Sequence, residues 1–568
     1  MDSFELIKDK QVEMQPLFKR MDIDRDLLNM VEFRLKGAEG KPLKDVVNVT
    51  MNDARVFAEK AQSFMTAANM QVVVEGNRLP DKDSSLIEGF DEDIRYEIDQ
   101  ALMPREIQGL YNFLIEQACI RGTLGGRFVA WDNQGKFTID PMPCDTRYLL
   151  YEYGDKDLEW AGYPSVQTKA TIMTKYPNAN ITDKKGKIWN FSNKTTNEVW
   201  LGSAVGDNRG QKLKESENIF GYVPFVIEGV GAGSMLQDEG AIAYQHESIF
   251  ANNRLLYEQV NMMASILQTL NYWTFMGPVG WESEAGIEGI PPKDWRGTGK
   301  TFPIDKGTHG LQPFQISDVK NGTRIFYALL LEAIQRGSLP NVSYGNLTFP
   351  LSAVAISKLT AAENNIFLPR LQAISYFYRK LHYMIKDQYV KGQYQAELGE
   401  EGMQRTYTAS DLDKKYSIKY QFFTVSPEQD IANYAVAQQA IAVGMSRHTV
   451  FTDILKLRNP KSEMMKADAE KAREIDPVIA LYDYGHALID QQEYFKAELV
   501  KDKIKQLLRE RYMPQPTGQP EQIPTNGKKP SPPALIPLMA GGGGGRAATS
   551  TDLTAQSPAE AMQQESRR

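Results

Sequence analysis

The chain has 568 residues, 42% hydrophobic and 24% charged, which excludes a disordered polymer and gives length enough for several cores. Its 65 Lys and Arg stand against 72 Asp and Glu, a formal net charge of -7, and so lack the basic excess by which a protein usually grips a nucleic-acid backbone. Cys119 and Cys144 are read as free buried thiols, the amphipathic N-terminus MDSFELIKDKQVEMQPLFKR is not signal-like, and no run approaches the roughly 18 apolar residues of a membrane span. A soluble chain made in a reducing cytoplasm is expected.

In chain order, helices are expected over Ser3–Arg20, Asp24–Leu35, Asn52–Ala68 and Ile107–Arg121, the last stopped by Gly122. RFVAW-DNQG-KFTID (127–140) and TRYLLYE-YGDK-DLEWAG (146–162) read as hairpins around Asn/Gly-type turns. A helix near 168–176, a strand over 196–206 and a strand over 218–229 come next; Pro224 makes the last an edge strand. A long helix is expected from Asp238 to Phe275, because Ile249, Leu256, Val260, Met263, Leu267 and Leu270 recur at spacings of three, four and seven. Its Asn252, Asn253 and Gln259 fall on polar faces. Residues 277–314, rich in Gly and Pro, are either an exposed loop or a small irregular β module. Helix resumes near Ile316 and runs to Arg336, with Ile325, Leu329 and Ala333 as buried candidates. After a Gly/Pro/Asn loop, Ser352–Asp387 reads as one long helix kinked at Pro369.

Residues 405–425 alternate as strand. The helical block beyond has Ser446, Asn459-Pro460 and Asp476-Pro477 as helix starts. From Met513 onward Pro, Gly, Gln and Ser dominate, and this tail is expected to be disordered.

Motifs for chemistry are weak. GTGKT (297–301) ends like a phosphate-binding loop, but Asp294 stands where the pattern needs Gly and GIPPKDWR cannot be a buried strand. GVGAGS (229–234) has Ser234 in place of the third dinucleotide glycine and no βαβ unit around it. HESIF (246–250) puts Phe250 where a zinc-protease helix needs its second His, so His246 reads as a surface or packed helix residue. No catalytic residue, metal ligand or cofactor is assigned.

The order of elements is more informative than any motif. NIFGYVPFVIEG leads into YQHESIFANNRLLYEQVNMMASILQTL; LLLEAIQRGSLPNVSYGNLTFPLSAVAISKLTAAENN comes after it, and VSPEQDIANYAVAQQAIAVGMSRHTVFTDIL precedes the last helices. Over roughly residues 20–512 this resembles the portal protein, or head-to-tail connector, of tailed bacteriophages. The resemblance implies an α+β, mainly α-helical subunit assembled as a ring, of twelve copies in that family. It implies N-terminal helices and an α+β wing (1–237), a stem helix (238–275), a β-containing clip (276–314) and a second stem helix (315–337). A tunnel loop (338–351), a long wing helix with wing strands (352–425) and a helical crown (426–512) complete it, with the tail (513–568) outside the family pattern.

For function, the resemblance implies a channel at one capsid vertex through which double-stranded DNA is packaged and later ejected. The terminase large subunit and then head-completion or adaptor proteins would dock on the clip, beside capsid and scaffolding proteins. The chain would sit in the virion after assembly in the host cytoplasm, with no membrane partner and no catalysis of its own. Tunnel-loop candidates are Asn341, Ser343, Tyr344, Asn346, Leu347, Thr348 and Phe349, with Pro340 and Gly345 making the reversal. Clip candidates are Trp281, Glu282, Glu284, Lys293, Trp295 and Arg296. The competing readings are a nucleotide-hydrolysing enzyme using 297–301 and an oligomeric scaffold of another kind.

Overall fold

The computed structural model describes residues 2–44, 46–77, 79–133, 136–202, 210–236, 238, 240–275, 279–283, 309–313, 319–339, 353–423, 427–490 and 493–512. The chain divides into two compact units, Met1–Ile475 and Asp476–Arg568.

The first unit opens with α1 (Ser3–Glu13) and α2 (Gln15–Leu28), separated at Met14 where Pro16 starts the second helix at a position whose N–H would have no partner anyway. The helix expected through Leu35 stops at Leu28. Met30 takes a left-handed conformation, and beyond it the Phe33 and Leu35 N–H groups donate to Thr50 Oγ1 and Asn48 Oδ1, so residues 31–50 fold back as an extended arm. Next come α3 (Asp53–Thr66), β1 (Asn69–Glu75), α4 (Asp81–Leu102) and α5 (Leu110–Glu116), which continues as a π-helical turn, Gln117–Arg121. Gly122 ends it as expected. Its φ is +76°, and a Cβ there would lie 1.8 Å from the His246 carbonyl oxygen, so only glycine fits.

Both expected hairpins form, as β2 (Thr123–Asn133) with β3 (Lys136–Pro143) and β4 (Leu150–Tyr153) with β5 (Leu158–Thr168). After α6 (Lys169–Lys175) come β6 (Lys185–Asn193), β7 (Thr196–Gly202), β8 (Gln211–Glu217) and β9 (Phe225–Gly229). Strands β4 to β8 make a five-stranded meander, while β9 is an edge of the sheet β3-β2-β9, where Pro224 predicts it. On one face of the meander Trp160, Trp189, Phe191 and Trp200 pack against Phe4, Ile7, Leu17 and Phe18 of α1 and α2. On the other, Ile172 of α6 joins Ile181, Ile188 and Leu201.

Then come α7 (Arg254–Phe275), β10 (Val279–Ser283), β11 (His309–Pro313), α8 (Val319–Arg336) and α9 (Ala353–Lys391), which holds Pro369 inside it. The unit closes with β12 (Gln395–Leu398), β13 (Arg405–Thr408), α10 (Ala409–Leu412), β14 (Ser417–Phe423), α11 (Pro427–Val443), α12 (Arg447–Thr449) and α13 (Pro460–Ile475). Ser446 caps α12 by accepting the Thr449 N–H at 3.2 Å.

Helix α9 is the centre of the main core. Phe367, Ile374, Phe377, Leu381, Ile385 and Tyr389, spaced by three, four and seven, are buried against α3, α5, β2 and the β1–β14 pair. Each such side chain contributes about 1.5–3 kcal/mol by leaving water. Strand β1 finds its partner far along the chain, with Val72 opposite Tyr420. Every described strand pairing is antiparallel, so helices and strands combine in an α+β arrangement.

The second unit is a hairpin of α14 (Pro477–Asp490) and α15 (Tyr494–Tyr512). Asp476 starts it as expected, accepting the Val478 N–H at 3.0 Å.

Candidate functional site: the arm of α7 and α8 and its root

The chain runs out along α7, turns through the antiparallel ribbon β10–β11, and returns along α8 beside α7. Tyr257 and Val260 of α7 and Leu330 and Ile334 of α8 are buried in the main core, with Leu256, Met263, Tyr327 and Leu331 packed on it. The buried face of α8 is therefore displaced from the expected one: Ile325 is 64% and Leu329 54% exposed. A stripe of three-and-four spacing can be drawn on either side of an apolar helix, and here packing on α7 selects Leu330 and Ile334.

An extended strap runs along α7. The N–H groups of Val47, Val49 and Met51 donate to Thr269 Oγ1, Ser265 Oγ and Asn261 Oδ1 at 3.0, 2.9 and 2.8 Å. The match is geometric: two residues of extended chain rise about 6.6 Å and four of helix about 6 Å, so alternate amides meet one acceptor per turn. Helix α7 carries little charge. From Leu255 to Phe275 the one charged residue is Glu258, whereas α8 holds Lys320 and Arg324 besides Glu332 and Arg336, which pair with each other.

The root of α7 departs most from expectation. The helix starts at Arg254 and not Asp238; between them lie a single 3₁₀ turn, Ala241–Tyr244, and His246 with a φ of 50°. His246 is packed as expected, its Nδ1 3.0 Å from the Val230 carbonyl oxygen, but it is not on a helix. Carbonyls with no helical partner need other donors. Arg20 supplies them, donating to the carbonyl oxygens of Ala243, Gln245, His246 and Arg121 at 2.6–3.2 Å. Arg254 forks onto both Asp24 oxygens, at 2.6 and 3.1 Å, and onto Glu247. Burial pushes the Asp24 carboxyl up against the pull of Arg254 and Arg20. Arg370, one residue beyond Pro369, donates to the Ile366 and Glu247 carbonyl oxygens. Asn253, expected on a polar face, is buried and donates to the Ile334 carbonyl oxygen at 2.8 Å, tying the start of α7 to the end of α8.

A second buried cluster joins α4 to α9. Asp91 accepts from Arg95 Nε at 3.0 Å and Tyr420 Oη at 2.5 Å, and its Oδ1 lies 3.0 Å from His382 Nδ1. His382 Nε2 lies 2.7 Å from Tyr416 Oη. Burial alone would raise the Asp91 carboxyl, but Arg95, His382 and Tyr420 hold it down to about 2. Three residues earlier on α4, Glu88 is pushed up to about 7 by burial, against the Val74 and Ser462 N–H groups.

Of the site residues named from sequence, Trp281 and Glu282 lie on β10, opposite Leu311 and Gly310. Glu284, Lys293, Trp295 and Arg296 of the clip candidates lie outside the described residues, as do Pro340, Gly345 and the tunnel-loop candidates Asn341, Ser343, Tyr344, Asn346, Leu347, Thr348 and Phe349. GTGKT at 297–301 and the tail from 513 also lie outside them. GVGAGS begins at the end of β9 of an antiparallel sheet, with no parallel crossover around it among the described residues. Both cysteines are free and buried, and burial pushes the Cys119 thiol up to about 12. No helix among the described residues is long and apolar enough to cross a membrane. Sequence reading missed the root cluster: Arg20 and Asp24 are four apart on one helix, but Glu247, Arg254 and Arg370 lie more than 220 residues away and no local spacing joins them to it.

No family model and no curated protein matches the chain. Among solved structures it is similar to a chain of the neck of an empty GTA particle computed with C6 symmetry, at 12% identity and a TM-score of 0.36, covering 72% of this chain and 90% of that one. It is similar to a chain of the virion of a native gene transfer agent (GTA) particle, at 11% identity and a TM-score of 0.34, covering 71% and 89%. A chain of the neck of a native GTA particle computed with C12 symmetry matches at 13% identity and a TM-score of 0.33, covering 70% and 99%. TM-scores this low assign neither fold nor role.

Proposed function

We propose that this chain is the subunit of a portal ring, a structural conduit for double-stranded DNA at one capsid vertex, without catalysis of its own. The observation that carries the reading is the arm: two side-by-side helices joined through a β ribbon, rooted in the main core, with a single charged residue between Leu255 and Phe275. Duplex DNA carries about one charge per 1.7 Å, so a wall rich in Lys and Arg would hold it by counterion release. A wall built from α7 lets it slide.

Copies would associate head to tail and close by rotation, twelve of them as in the family the sequence resembles. The ribbon end would be the clip, where an ATPase motor of the terminase type docks during packaging and head-completion proteins dock afterwards. The loop between α8 and α9 would face the bore. The exposed Ile325, Phe326 and Leu329 of α8 fit contact with a neighbouring copy better than contact with water.

The test is the mass of the purified chain by light scattering at micromolar concentration and physiological salt, with negative-stain images of the same sample. Closed rings with a central hole are expected, and no ATP hydrolysis by the protein alone. A monomer, or intrinsic ATPase activity lost on Lys300→Ala, overturns the reading.

A further inference from the structure

The hairpin of α14 and α15 is not a self-sufficient fold. Leu488 and Ala497 are its buried hydrophobics among the described residues, while Tyr482, Tyr494, Phe495 and Leu499 are each more than half exposed. The two helices meet along a seam marked by those two buried residues and by Gly485, where a Cβ would lie 3.4 Å from Val500 Cγ1. At about 100° of rotation per residue, the α14 stripe Ile479, Tyr482, Ile489 points roughly 100° away from that seam. Phe495 and Leu499 of α15 point roughly 150° away from it. The hairpin therefore has two separate apolar faces.

Lys496 pairs with Glu493, Lys505 with Asp502, and Arg511 with Asp476 across the hairpin. What covers the two apolar faces must itself be apolar, and the Pro-rich segment after residue 512 is poorly suited: its one apolar run, 534–540, is broken by Pro537 and has no three-and-four stripe.

We infer that the α14 face of one copy packs on the α15 face of the next, so that this hairpin is a head-to-tail contact between copies of the chain. Two unlike faces on one small body are what a heterologous contact requires, whereas a two-fold dimer would need one face that matches itself. Counted over both sides of one contact, the five side chains offer on the order of 500 Å² of apolar area, taking about 150–250 Å² for a fully buried aromatic, against about 1,600 Å² in all for a stable interface. The hairpin thus contributes part of a larger contact, and the inference rests on the ring reading above.

The test is disulfide trapping in the full chain. Cys119 and Cys144 are fully buried and stay out of the reaction. Under a mild oxidant the double variant Tyr482→Cys/Leu499→Cys should give a ladder of covalent species extending beyond the dimer, and each single variant should stay at monomer mass. Ile479→Cys/Phe495→Cys repeats the test at a second pair. Covalent dimers from either single variant would show a two-fold contact and overturn the inference. Rings without a ladder from both double variants overturn it while leaving the ring reading standing, and a chain monomeric by light scattering overturns both.

Discussion

The two buried clusters of charge solve the same problem by opposite means. Between α4 and α9, one carboxylate, Asp91, collects Arg95, His382 and Tyr420, and all of these residues sit on regular elements or beside them. At the root of α7, Arg20, Arg254 and Arg370 face only Asp24 and Glu247, and the surplus of guanidinium goes to backbone carbonyls. The difference tracks the backbone. Where helices and strands satisfy their own peptide groups, a buried charge needs only a counter-charge. Where the chain is irregular, as at 241–248, arginine with five donors in a rigid fork satisfies the carbonyls that a helix would have satisfied. The first cluster staples a core; the second holds the place from which the arm of the proposed conduit departs.

The largest test of this contrast removes Glu247. The Glu247→Ala variant strands the buried Arg20 and the partly buried Arg254, with Asp24 as their remaining acid, and should lose about 3–5 kcal/mol. The Tyr420→Phe variant removes one hydroxyl from Asp91, which keeps Arg95 and His382, and should lose about 1–2 kcal/mol. Urea denaturation of both, read by circular dichroism, decides. Equal losses would mean that the root is an ordinary core staple.

The same contrast explains what could be read from sequence. Local signals were legible: Asp476-Pro477, Ser446 and Gly122 mark helix ends by chemistry that needs no distant partner. The α7 start was not, because 238–253 is as helix-compatible as 254–275, and its carbonyls are taken by Arg20 from more than 220 residues away. Helix α4 and strand β1 escaped notice for related reasons. Glu88, Asp91 and Asp93 occupy buried positions on α4, which breaks the apolar period. The Val72–Val74 run had no visible partner until β14 paired with it. The arm was legible as two helices around an insert, but which face of α8 is buried was decided by α7.

A smaller effect separates the two carboxyls of α4. Glu88 has a folded pKa of about 7 against 4.5 for the ordinary group, so between those values the unfolded chain has lost a proton that the native chain keeps. Stability contributed by the neutral form is therefore fully present below about 4.5 and lost as pH rises through 7. The shift corresponds to about 3 kcal/mol. Glu88→Gln should thus gain about 3 kcal/mol on the wild type between pH 4.5 and pH 7.5, measured as the change in their stability difference. A difference independent of pH would place the charge of Glu88 in water and end its contrast with Asp91.

An effect smaller than that of Glu247 lies where α8 ends. Gly337 passes so close to the root that a Cβ on it would lie 2.1 Å from Asn253 Oδ1, and Asn253 is the residue that ties the α8 terminus to the start of α7. Gly337→Ala must move that amide, because it is buried and cannot swing into solvent. Loss of the bond to the Ile334 carbonyl together with the local overpacking should cost about 1–3 kcal/mol. Asn253→Ala alone should cost less, since it deletes the bond without the clash, and the double variant should recover part of the Gly337→Ala loss because the added methyl then has room. A double-mutant cycle by urea denaturation measures this directly. Strict additivity of the two losses would mean that the close approach of the two helix ends is not what makes position 337 a glycine, and that the end of α8 is held by something other than the root.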